Sequence, residues 1–214
     1  MKHKIEKNTV QETLILPLYS RKLCTELYPN LYQDETAVRL IDEIDYDFLE
    51  AEKNSRSLMQ RFGALEVAMR QNDLAWEVRD YLKTHPSAAV FFASGVFYYF
   101  LTQQVKALVQ QMADAFSGGV LVFDAANRTA VKMIAKTWLR TAKIKDVGAY
   151  FAVSDAPKEI GEWDNRLQVT SRGYMLGYND LRDHSVSGFF RFLARVGDNG
   201  MKMQIVKIRF GGKA

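Results

Sequence analysis

The chain has 214 residues, 48% hydrophobic and 25% charged, which is ordinary for a single globular domain with a sizeable core. One cysteine, Cys24, excludes an internal disulfide framework and suits a small core residue in a reducing compartment rather than a reactive thiol. A net charge of +4, a pI near 9.0 and a polar start, MKHKIEKNTVQE, lack the apolar core of a signal peptide, and a cytoplasmic protein is expected.

Residues Thr13–Glu50 predict two helices about the break at Pro29-Asn30, with Leu14, Leu18, Leu23, Leu27 and then Ala37, Leu40, Ile41 and Ile44 as the apolar stripe. Asp34 is placed to cap the second. Asn54–Thr84 predicts one further helix or two, burying Phe62, Leu65, Met69, Leu74, Trp76, Val78 and Leu82, and Pro86 stops it. The run HPSAAVFFASGVFYYFL then predicts a strand at Ala88–Ala93, a turn at Ser94-Gly95 and an aromatic cluster. An unbroken apolar run between turn signals suits a strand covered on both faces. The run up to Leu101 is too short and too interrupted to span a bilayer, so no membrane partner is expected.

Downstream, helices are expected at Thr102–Phe116, Thr129–Leu139, Ala156–Trp163 and Ser185–Val196. Strands are expected at Val120–Phe123 (ending at Asp124), Ala149–Val153, Leu167–Ser171 and, as the terminal strand, Met201–Phe210. Alternation of strands and helices points to an α/β sheet. The whole chain, 1–214, reads as one domain: a helical N-terminal extension over 1–84 and an α/β core over 85–214.

The segments AMRQNDLAWEVRDYLKTHP, FFASGVFYYFLTQQVKALVQQMADAF, GGVLVFDA and EIGEWDNRLQVTSRGYMLGY, together with TLILPLYSRKLCTELYPNLYQDETAVRLIDEIDYDF, resemble the leucine carboxyl methyltransferase-like family. The closer resemblance is to its bacterial tetracenomycin-type polyketide O-methyltransferase branch. The matches run in order from Thr13 to Phe210. The resemblance implies a shortened Rossmann-like class I methyltransferase sheet with an antiparallel C-terminal strand, S-adenosylmethionine as cofactor, and a small-molecule hydroxyl or carboxyl as acceptor. It also exposes a departure. The family has a Gly-x-Gly-Leu-Asp loop and two further strands after its His-Pro, whereas here His85-Pro86 runs almost directly into the fourth-strand motif. About 60 residues are absent, at roughly 30 per strand–helix–strand unit. Weak or absent turnover is therefore expected, and the alternative is a non-catalytic remnant serving as a binding or interaction module.

Methyl transfer from a sulfonium asks the protein mainly to align two reactants. A cofactor carboxylate calls for a guanidinium fork, and close backbone approach calls for glycine. By the resemblance, Arg70 in AMRQNDL answers the first demand, with Asp73 as the acidic member of that motif. Arg21 and Lys22 in YSRKLC match a basic position reaching the same end of the cofactor. Ser94 and Gly95 match the turn after the fourth strand. Read without the family, Arg70 is an exposed helix arginine paired with Asp73 or Asp80, and Asp124 either ends a strand at a favoured site position or caps a turn. Tyr98 and Tyr99 follow the turn, and Tyr99 is a candidate for orienting an acceptor hydroxyl. His184 is a candidate base. No spacing suggests a metal site.

The C-terminal segment is basic (Arg182, Arg191, Arg195, Lys202, Lys207, Arg209, Lys213). These residues are dispersed and carry no nucleic-acid-binding signature, so no nucleic-acid partner is expected. Without its first three strands the sheet would leave Ala88–Ala93 at an edge, a template for a homodimer.

Overall fold

Helix α1, Val10–Leu27, buries Ile15, Tyr19 and Leu23, four apart along one face, together with Cys24 beside them. This description comes from a computed structural model that describes residues 2–6, 10–48, 57–91, 94–134, 136 and 148–211. Of the expected leucine stripe, Leu23 is buried and Leu18 and Leu27 pack half-buried against the core, but Leu14 is 64% exposed, and Tyr19 lies inward, stacked on Phe48 at 5.4 Å. Helix α2, Glu35–Glu43, starts where expected, because Asp34 accepts from the Ala37 N–H at 2.9 Å. A two-residue parallel bridge joins β1, His3–Lys4, to β2, Ile44–Asp45.

Helix α3, Leu58–Thr84, is one 27-residue element, about 40 Å long at about 1.5 Å per residue. Ser57 caps its start by accepting from the Gln60 N–H. It ends at His85, where the following Pro86 disfavours helical geometry. Leu65, Met69 and Leu74 are buried as expected, but Trp76 is 42% exposed.

The expected strand at Ala88–Ala93 is not formed over its described part. Residues 88–91 carry no strand, Val90 is 45% and Phe91 85% exposed, and Phe92 and Ala93 lie outside the described residues. A doubly covered strand needs a ladder partner to satisfy its backbone. The neighbouring strand, β3 (Val120–Ala125), has the single-turn helix Phe97–Tyr99 packed against it instead. The homodimer expected through this edge thus has no described strand to act on. Residues 149–153 are likewise not a strand, although the Tyr150 N–H donates to the Tyr98 carbonyl at 2.7 Å and the Val153 N–H to the Ala126 carbonyl at 2.9 Å.

The remaining elements follow the sequence closely. Helix α4 is Thr102–Ala115, α5 Arg128–Ile134, α6 Ala156–Gly161 and α7 Gly188–Arg195. Strand β4 is Leu167–Gly173 and β5 Gln204–Phe210. The last part of the helix expected up to Leu139 lies outside the described residues. In α4, Val105, Val109 and Ala113 are buried, while Leu108 is 41% exposed.

The three-stranded sheet has the order β3-β5-β4. The C-terminal strand is central and antiparallel to both neighbours, with Asp124 opposite Ile205 and Val122 opposite Lys207. The protein is therefore mixed α/β. Alternation along β3 and β5 divides the core. Phe123, Ala125, Val206, Ile208 and Phe210 pack with Val105, Val109 and Ile160 on one face. Ile205 packs with Leu65, Met69 and Tyr28 on the other. Among the described residues no helix is long and apolar enough to cross a membrane.

Candidate functional site

Four ionisable residues of α3, Glu66, Arg70, Asp73 and Glu77, recur at spacings of four, three and four, which puts them on one side of a helix. That side faces the sheet. Because β3 and β5 alternate, Asp124 and Lys207 project toward α3, and each meets an opposite charge. Arg70 Nη1 lies 3.3 Å from Asp124 Oδ2, and Lys207 Nζ lies 2.7 Å from Glu77 Oε2. Asp73 is fully buried and Glu77 and Asp124 nearly so.

Arg70, Ser94-Gly95 and Asp124 are brought to one place, at the carboxyl end of β3. The Gly95 N–H donates to Asp124 Oδ1 at 2.7 Å. Gly95 has φ +70°, the left-handed region that a side chain disfavours, and a Cβ there would stand 3.5 Å from the Arg70 guanidinium. Ser94 shares the same bend. Burial alone would lower the Arg70 pKa, but Asp124, acting together with Tyr174, Tyr98 and Glu66, raises it. The Tyr98 hydroxyl is buried, and its pKa is raised well above the ordinary value by burial and then by Asp124. On the next turn of α3, Glu66 accepts from the Tyr174 hydroxyl at 3.0 Å. Burial raises the pKa of both.

Asp73 belongs to a different cluster. Its Oδ1 accepts from Asn179 Nδ2 at 2.9 Å, and its Oδ2 is buried with no partner. Burial, partly offset by Asn179 and reinforced by Asp198, pushes its pKa up to about 8. Glu77 accepts from the Tyr178 hydroxyl at 2.7 Å. Asp198 accepts from the Met175 and Leu176 N–H groups at 3.2 and 2.8 Å. The Asn179 and Tyr178 bonds pin the segment after β4 onto α3, and the Asp198 bonds tie it to the turn Val196–Gly200.

The other expected site residues stand apart. Arg21 donates through Nε to Asp34 Oδ2 at 2.8 Å, and Lys22 lies 3.3 Å from Glu26. Their partners are thus on α1 and at the start of α2, not at Arg70. Tyr99 is 37% exposed, and Tyr98 beside it is the buried member of the pair. The His184 side chain is 86% exposed and 3.7 Å from Asp183.

The residues do not offer an S-adenosylmethionine carboxylate an open fork. The Arg70 guanidinium and the Gly95 N–H, the two groups suited to it, both engage Asp124. Sequence reading did not identify Glu66, Glu77 or Lys207, although the four-three-four recurrence of charge along α3 was present to be read. Among known proteins, no family model, no curated protein and no solved structure matches the chain.

Proposed function

We propose that the chain is, by descent, an S-adenosylmethionine-dependent O-methyltransferase acting on a small-molecule hydroxyl or carboxyl, with weak or absent turnover. The observation that carries this reading is the meeting of Arg70, Ser94-Gly95 and Asp124 at the carboxyl end of β3. Ligands of open α/β sheets bind beyond the carboxyl ends of strands. The sheet order β3-β5-β4, with the last strand antiparallel and central, agrees with the C-terminal half that the resemblance implies.

A second reading, a non-catalytic remnant used as a binding module, is favoured by the closed Arg70–Asp124 pair and by the lack of a glycine-rich cofactor loop in the sequence. Titration calorimetry with S-adenosylmethionine separates the two. Micromolar binding that is lost in a folded Arg70→Ala variant supports the methyltransferase reading. No heat at millimolar cofactor supports the remnant.

A further inference from the structure

We propose that the depression between the segment after β4 and α7 binds a small phosphorylated ligand, at a site separate from the Gly95 corner. The depression is shallow and open to solvent, with a volume of about 790 Å³, and is lined in part by Tyr178, Asn179, Asp180, Arg182, Arg191 and Arg195. Three guanidinium groups therefore share it with one carboxylate. That carboxylate, Asp180, is 3.6 Å from Arg182, and both side chains are largely exposed. Arg191 and Arg195 are four residues apart on α7, so they present their charges on one side of the helix.

Arg191 is held without being neutralised. Its Nη1 donates to the Val186 and Leu181 carbonyls at 2.8 and 3.5 Å, which are uncharged acceptors. Leu181 is fully buried and has φ +53°, a left-handed conformation that a leucine adopts only where its surroundings impose it. The opposite wall is also fixed, since Asn179 donates to Asp73 and the Tyr178 hydroxyl to Glu77. Arg195 has no ion-pair partner among the described residues. Arg191 is the fixed member of the three, while the Arg182 side chain is 83% exposed and Arg195 is exposed; like charges gathered there repel one another unless an anion lies between them. A phosphate offers several oxygens to such planar forks and neutralises more than one charge at a time.

Titration calorimetry of the full chain with pyrophosphate, and separately with inorganic phosphate, at constant ionic strength tests this. Saturable one-to-one binding of pyrophosphate is expected, with weaker binding of inorganic phosphate. Arg195→Ala removes a side chain that has no ion-pair partner among the described residues, so it is expected to keep the wild-type melting curve while weakening pyrophosphate by about tenfold or more. Arg191→Lys replaces a fork by a point charge and is expected to weaken it similarly. Unchanged affinity in both variants would overturn the proposal. So would heat that never saturates, or binding of duplex DNA by a chain that is silent to pyrophosphate.

Discussion

At the scale of single residues, opposite charges are buried against one another between α3 and the sheet. Asp124 is 1% exposed at its side chain and Arg70 16%, so neither can exchange its partner for bulk water. Removing one member leaves a buried charge unpaired. Asp124→Asn is expected to lower unfolding free energy by about 3 kcal/mol in urea titrations. The double variant Arg70→Met/Asp124→Leu, which removes both charges, should recover much of that loss. A double variant as unstable as the sum of its singles would show that the pair is uncoupled.

Asp73 has a pH signature of known sign. A carboxyl whose folded pKa is raised, here to about 8 from 3.8, favours the folded state while it is protonated. That stabilisation is complete below the unfolded value and is lost as pH rises from about 4 through about 8. Asp73→Asn keeps an oxygen to accept from Asn179 and cannot ionise. Its stability at pH 8 is expected to exceed that of the parent chain, with the gap closing toward pH 4 in parallel denaturation series. A gap that does not vary with pH would count against the buried carboxyl as the cause. Local signals sufficed for Asp34 as a cap and for Gly95 and Asp124 as turn and strand-end residues. They did not reveal Asp73 as a neutralised buried acid, because its environment is built by Asn179 and Asp198, more than a hundred residues away in the chain.

At the scale of elements, most helices and strands were legible from spacing, and their orientation was less so. In α1 both Leu14 and Ile15 are apolar, and periodicity alone does not choose between them. The contacts on Tyr19 and on α3 turn Ile15 inward. Ile15→Ala is therefore expected to destabilise by about 2–4 kcal/mol, and Leu14→Ala by less than about 0.5 kcal/mol, in guanidinium titrations. Similar losses in the two variants would refute this helix orientation. In α3 the apolar stripe was legible through Leu65, Met69 and Leu74, but Trp76 is half-exposed while Glu77 is buried. Hydrophobic periodicity discounts a charged residue unless its partner is known, and the partners, Lys207 and Tyr178, arrive from elements much later in the chain.

At the scale of the whole molecule, the sheet is small and its central strand is the last one made. Helices cover both faces of β3 and β5, so a chain with only three strands in this sheet still encloses two apolar cores. Local spacing alone established the helices, the alternating strand at the C-terminus and the Asp34 cap, because each depends on residues within a few positions of one another. Packing between distant segments decided the rest: which side of α1 and α3 is covered, that residues 88–91 form no strand, that Arg70 is paired with Asp124, and that three dispersed arginines meet in one depression. The physical reason is the same in each case. Burial and ion pairing are properties of neighbours in space, and here those neighbours lie tens of residues apart along the chain.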